Sequence, residues 1–254
     1  MPLSLQKGYW SGASGGGSSD PYWSDVDFAL IGNEANSGDY ITSSGPTAST
    51  LYIPNSGSYS HSPTGGPFSQ GSYSFVAGAY PSYNSGFTTN SGSPTYDSTS
   101  MTDESTWTME YWIKHSSSAP HPGTGAWIGP QDGARIIFGH GGTPPNWDVY
   151  FGGYVTTTIT GGNTTTWTQI AFVRNSSDFY IYVDGTRVQN ITPTFLTYVN
   201  NLTIMNTHDY IAGVYGEIAG IRLSRIARYT DTTYSAAEGG MPSTWSSAIQ
   251  LYGA

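Results

Sequence analysis

Between Trp127 and Tyr154 the chain gathers Trp127, His140, Asn146, Trp147, Asp148, Tyr150 and Tyr154 in one stretch rich in Gly and Pro. This mixture suits a sugar. A pyranose ring offers an apolar C–H face that stacks on a flat aromatic, while its hydroxyls need a few convergent polar partners such as Asn, Asp and His. The same rings also suit a cap on a core or a contact with a neighbouring subunit. Hydrolysing a sugar demands more, namely two carboxylates flanking the scissile bond, about 5–5.5 Å apart in a retaining enzyme. Glu110 has Trp112 two positions on, and Glu217 has Ala219. Asp103 and Glu104 are adjacent, which on a strand sends them to opposite faces. No carboxylate pair emerges.

Other chemistries find less support. His61, His115, His121, His140 and His208 are scattered through loop-like composition, without the i, i+4 spacing of a metal-binding pair. The chain has neither a serine-nucleophile elbow nor a phosphate-cradling glycine loop leading into a helix. It has no cysteine, which excludes disulfides, thiolate metal sites and a thiol nucleophile. Two groups look suited to docking on a partner. Tyr9 and Trp10 precede a Gly/Ser-rich run, and Arg222, Arg225 and Arg228 recur every third residue from the end of what reads as the last strand onward.

Composition narrows the class further. The 254 residues carry 8 Lys+Arg against 17 Asp+Glu, a formal net charge of −9, and charged residues are only 10% of the chain. So acidic a chain with so few cations is no general binder of phosphate backbones. Twenty Tyr and 8 Trp argue against an acidic disordered chain, and the scarcity of Ala, Glu, Lys and Leu argues against a helical bundle. No stretch approaches the length of a membrane span, and residues 1–8 carry no secretory apolar run. A soluble chain made in a cytoplasm is expected, leaving the cell, if at all, within an assembled particle.

The elements that must position these residues read as strands. Residues 1–19 end in a flexible linker composition and form an expected N-terminal arm. Residues 20–254 read as one β-sandwich, with short apolar patches such as Val26–Ile31, Leu51–Ile53 and Tyr73–Val76 cut by Gly, Pro, Asn and Ser. Trp107, Met109, Tyr111 and Ile113 alternate onto one face, leaving Thr108, Glu110, Trp112 and Lys114 on the other. The run Trp167–Arg174 is mostly apolar on both faces, as befits a buried strand. Phe179–Val183, Asp184-Gly185 and Thr186–Val188 predict a hairpin with a type I′ turn. Asn201–Met205 and Tyr215–Leu223 complete the set.

Three stretches together resemble the laminin-G-like, concanavalin-A-like jelly roll. Trp107–Lys114 resembles the family's F-T-I-E-F-W-I-K strand. Trp167–Arg174 with Phe179–Gly185 is similar to W-x-H-I-A-F-V-R…L-Y-L-Y-V-D-G, and Gly216–Thr230 to G-Y-I-D-E-F-R-I-S-K-V-A-R-Y-T. Upstream, Asp20–Val26 resembles the opening D-P-Y-W-S-N-V of this domain in virion proteins of tailed bacteriophages. The resemblance implies an all-β, antiparallel sandwich, and implies function far less, because this fold hosts lectins, hydrolases and structural domains alike.

Two departures stand out. Ile218-Ala219-Gly220 replaces the family's I-D-E, and residues 115–154 look like loops elaborated on a kept scaffold. Hydrolases of this architecture carry Glu-x-Asp-x-x-Glu or Glu-x-Asp-x-Glu on one strand face, and neither array occurs here. Related jelly rolls often bind calcium through loop oxygens, for which Asp132, Asn146, Asp148, Asn206 and Asp209 qualify without any spacing that singles out a cage. No other cofactor is expected.

These readings imply a non-enzymatic structural protein on a tailed-phage virion, decorating or cementing the capsid or tail surface. Its partners would be other virion proteins, in many copies or as a homo-oligomer, with a host-surface glycan met by the aromatic loops and neither nucleic acid nor membrane involved. A free carbohydrate-binding lectin is the competing reading, with a glycan hydrolase behind it.

Overall fold

A computed structural model of the chain describes residues 22–30, 40–42, 50–52, 59–67, 71–75, 87–89, 105–115, 125–130, 136–140, 146–151, 155–160, 166–192, 202–204 and 216–234. The expected arm, with Tyr9 and Trp10, lies outside them. After a 3-10 turn, Trp23–Asp25, come β1 (Val26–Leu30), β2 (Tyr40–Thr42), β3 (Thr50–Tyr52), β4 (Tyr59–Ser62), β5 (Ser72–Phe75) and β6 (Phe87–Thr89). Next are β7 (Thr106–His115), β8 (Gly125–Pro130), β9 (Ile136–His140), β10 (Asn146–Phe151) and β11 (Val155–Thr160). Then follow β12 (Thr168–Asn175), β13 (Asp178–Val183), β14 (Thr186–Ile191), β15 (Leu202–Ile204) and β16 (Gly216–Ser224).

These strands form two eight-stranded sheets. The first runs β14-β13-β12-β7-β16-β5-β4, with β1 also pairing β16, and the second runs β11-β10-β9-β8-β15-β6-β3-β2. The fold is the expected antiparallel sandwich. No described helix is long and apolar enough to cross a membrane.

The core lies on one face of the first sheet, where sequence alternation places it. Trp107, Met109, Tyr111 and Ile113 are all buried, joined by Ile170 and Phe172 of β12, Phe179 and Ile181 of β13, and Phe28 and Leu30 of β1. Their rings interlock. Phe179 meets Trp107 edge-on at 5.7 Å between centroids and stacks against Phe172 at 6.0 Å. Asp184 and Gly185 both take positive φ, 47° and 76°, as the predicted turn requires. Asp184 Oδ1 also accepts a hydrogen bond from the Gln169 amide at 2.8 Å, which ties the turn to the start of β12.

One expectation is corrected here. The stretch from 115 to 154 is not simply loop, because it supplies β8, β9 and β10 to the middle of the second sheet. Its Gly and Pro clusters punctuate short strands instead of replacing them. Pairing with neighbours on both sides overrides the weak local preference for strand in Gly-rich runs.

Candidate functional site

The outer face of the first sheet is set by one bulge. In the β7–β16 pair, Ala219 is opposite Trp112 and Arg222 is opposite Glu110. Two residues of β16, Gly220 and Ile221, therefore stand against Tyr111 alone. Gly220 has φ 56°, a conformation open to glycine at little cost. The extra residue shifts the alternation by one, and a one-residue slip exchanges the faces of a strand. Ile221 and Leu223 thus stay with the core, while Arg222 is delivered to the outer face beside Glu110.

There Arg222 and Glu110, both fully buried, form an ion pair. Arg222 Nε donates to Glu110 Oε1 at 2.5 Å, and the Tyr229 hydroxyl donates to Glu110 Oε2 at 2.6 Å. Burial pushes the Tyr229 phenol well above its ordinary value, and the Glu110 carboxylate adds to the effect. This geometry corrects the docking assignment of Arg222. It belongs to β16, and its charge is spent inside the protein. The same contacts commit Glu110 to Arg222 and Tyr229.

What buries the pair is a strap, residues 225–234, laid across the outer face. Thr108 holds it twice, donating from Oγ1 to the Ile226 carbonyl at 2.8 Å and accepting from the Arg228 amide at 2.9 Å. Further along, the Tyr182 hydroxyl donates to the Asp231 carbonyl at 2.7 Å, and the Tyr234 amide donates to the Gly185 carbonyl at 2.8 Å. Tyr229 and Tyr234 stack at 3.6 Å, with Tyr182 tilted against both. Ala171 and Val173 complete this small apolar layer. The run Trp167–Arg174 reads as apolar on both faces because sandwich core covers one and strap covers the other.

Arg228 holds the strap to the start of the domain. Its Nε donates to Ser224 Oγ at 2.7 Å, and its guanidinium lies 5.6 Å from the centre of the Tyr22 ring. The Arg225 amide donates to the Asp25 carbonyl at 2.8 Å, and the Arg225 side chain is exposed. Of the three arginines, therefore, one is internal, one packs on Tyr22 and one stands at the surface.

Beyond the Ala171–Glu110–Arg222 row the outer face changes character. The next row across the sheet is Gln169–Trp112–Ala219, followed by Trp167 beside the Lys114–Glu217 pair. Lys114 Nζ is 2.8 Å from Glu217 Oε1, with the two side chains 36% and 24% exposed. Ser72 Oγ donates to Glu217 Oε2 at 2.7 Å, and Lys114 Nζ lies 5.7 Å from the centre of the Trp167 ring. Gln169 is buried, and its Nε2 has no acceptor among the described residues. The sequence signal for this region is Trp112 standing inside the otherwise polar alternation of Thr108, Glu110 and Lys114.

The aromatic group nominated from sequence falls on three adjacent strands of the second sheet. Trp127 is in β8, His140 ends β9, and Asn146, Trp147, Asp148 and Tyr150 are in β10. Trp147 stands directly opposite His140, and His140 is opposite Gly125 at the start of β8. The ladder is irregular between Ala126 and Ile128, at Trp127. The fold thus brings these residues into neighbouring register, on strands and not on loops as expected. Tyr154 lies outside the described residues, as do Asp132, Asn206 and Asp209. Among the described residues no three His, Cys, Asp or Glu converge on a metal position.

Comparison with solved structures finds the same sandwich elsewhere. Trypanosoma rangeli sialidase superposes with a TM-score of 0.60 at 12% identity, over 90% of this chain and 33% of the sialidase. The receptor-binding domain of botulinum neurotoxin C/D mosaic serotype gives a TM-score of 0.56 at 10% identity, over 81% of this chain and 49% of that one. Domain 4 of AbnA, an extracellular arabinanase of Geobacillus stearothermophilus solved with arabinotriose, gives 0.50 at 12% identity, over 85% and 97%. The chain spans about a third of the sialidases' length, and identities this low speak to fold alone. No curated protein matches in sequence. A sequence profile described as Laminin_G_3, concanavalin A-like lectin/glucanases superfamily, matches residues 87–231, more than half of the chain. On that match the protein belongs to the concanavalin A-like lectin/glucanase superfamily.

Proposed function

We propose that the protein is a non-enzymatic structural component of a tailed-phage virion that contacts glycans through the aromatic strands of its second sheet. The observation that carries the glycan reading is the register joining β8, β9 and β10, where Trp147 pairs with His140 beside the strand of Trp127. Aromatic and imidazole groups on adjacent strands are what stacking on a sugar, with orientation by a few polar groups, requires. The non-enzymatic reading rests on Glu110, which Arg222 and Tyr229 occupy, and on the missing paired carboxylate.

The virion reading is supported by the Asp20–Val26 opening and by a composition rich in Tyr, Trp and Gly and low in charge. The arm, with Tyr9 and Trp10, leads into Tyr22, which packs on Arg228 near the exposed Arg225. Arm and arginines would then address one neighbour in the particle. Replacing Trp127 and Trp147 with Ala is expected to abolish glycan binding and leave incorporation into particles intact. Deleting residues 1–19 is expected to release the protein from the particle. Unchanged incorporation rejects the arm as anchor, and failure to find the protein in any particle leaves the free lectin as the better account.

A further inference from the structure

We infer a second carbohydrate site, on the part of the first sheet's outer face beyond the strap's anchoring rows, that takes a neutral hexose unit through Trp112, Trp167, Lys114, Glu217 and Gln169. It is separate from the aromatic strands of the second sheet and rests on the same carbohydrate-binding reading.

Three observations converge. The first is that two tryptophans, both only partly buried, lie on a face that is not the sandwich core, Trp112 opposite Gln169 and Trp167 beside Lys114. Indole rings at a partly open surface are suited to the C–H face of a pyranose. The second is the Lys114–Glu217 pair, which is partly exposed and bears no net charge. An ammonium has three donors, and Lys114 directs one at Glu217; a carboxylate has about four acceptor positions, and Glu217 fills two, with Lys114 and Ser72. Donors and acceptors side by side match a hydroxyl, which is both. A pair without net charge favours a neutral sugar over an acidic one.

The third observation is Gln169. It is 97% buried, directly opposite Trp112 in the ladder, and its amide Nε2 finds no acceptor among the described residues. A buried donor left unmade is destabilising, and a partner from outside the chain is one way to complete it. A ligand hydroxyl accepting from Nε2 would do so. The elements that hold the site are rigid, because β7, β12 and β16 are central strands of the sheet.

The test is saturation-transfer NMR on the full chain with maltohexaose and cellohexaose as neutral probes and 3′-sialyllactose as the acidic one. At least one neutral probe is expected to bind the wild type and to keep binding the Trp127→Ala/Trp147→Ala variant. Binding to that variant background should weaken about tenfold on adding Trp112→Ala or Glu217→Gln, the loss of one stacking or charged hydrogen-bond contact. Gln169→Met separates folding from binding, since removing an unsatisfied donor should hold or raise the unfolding midpoint while weakening the same probe. Three results would overturn the site: neutral probes bound by the Trp127→Ala/Trp147→Ala variant just as tightly after Trp112→Ala or Gln169→Met is added, preference for sialyllactose, or no neutral probe bound at all. If binding vanishes in the Trp127/Trp147 variant alone, the second-sheet site stands and this one falls. If it survives there and vanishes with Trp112→Ala, the reverse holds.

Discussion

Two acid–base pairs bridge β7 and β16 on the same face of the same sheet, and they differ in almost every physical respect. Glu110–Arg222 is fully buried, roofed by the strap and completed by the Tyr229 hydroxyl. Lys114–Glu217, one turn of the alternation beyond Trp112, reverses the order of charges and stays partly in solvent beside Trp167. Burial turns the first pair into an internal fastening. Exposure leaves the second with hydrogen-bonding capacity that a ligand can use. One face of one sheet is thus divided between holding the fold and meeting something outside it.

The division can be broken most severely at Arg222. Arg222→Met leaves the Glu110 carboxylate buried without its cation and is expected to cost about 3–5 kcal/mol in urea unfolding. Adding Glu110→Leu should recover most of that loss, because a buried pair replaced by apolar groups is often neutral. Failure of the double variant to recover would show that the strap depends on the charges themselves.

Gly185→Ala comes next. A Cβ there would overlap the Tyr234 carbonyl oxygen, and φ 76° already disfavours any side chain. The expected cost is about 1–3 kcal/mol, with faster hydrogen exchange at the Tyr234 amide than in the core of β12. Equal exchange at both would mean the strap is not held through this contact.

Alkaline pH tests the roof without mutation. Burial raises Tyr182 to about 12 and lifts Tyr229 and Tyr234 well above the ordinary tyrosine value of 10. Below that ordinary value both folded and unfolded chains keep these protons, and the contribution is complete. Above it the unfolded chain sheds protons that the native strap retains, so stability falls as pH rises through 12. Urea midpoints across the alkaline range should decline more steeply in wild type than in a Tyr229→Phe/Tyr234→Phe variant.

The smallest effect belongs to the open half. Lys114→Met should change stability by less than about 1 kcal/mol, with even that difference shrinking in salt. A loss as large as that of Arg222→Met would erase the contrast between the two pairs.

Much of this was legible before any coordinates. The alternation Trp107, Met109, Tyr111, Ile113 marks the core face of β7, and Asp184-Gly185 marks the β13–β14 hairpin, because both are local consequences of strand period and turn sterics. The bulge at Gly220 was not legible. An isolated Gly in a strand hints at one, yet only the partner strand shows which face each neighbour takes, and so Arg222 looked like a surface cation. The strap escaped notice for a related reason, since its hold on Thr108, Tyr182 and Gly185 joins residues far apart in sequence. Trp127, His140 and Asn146 to Tyr150 sit on the adjacent strands β8, β9 and β10, which the Gly and Pro around them hide in the sequence.

The most direct test of the account measures binding and turnover together, with the wild-type chain on one panel of neutral and acidic polysaccharides. Saturable binding with every polymer left at its starting length is the expected result. Release of shortened sugars, abolished by Glu110→Gln, would contradict a protein whose buried Glu110 is a fastening and whose sugar contacts do no chemistry.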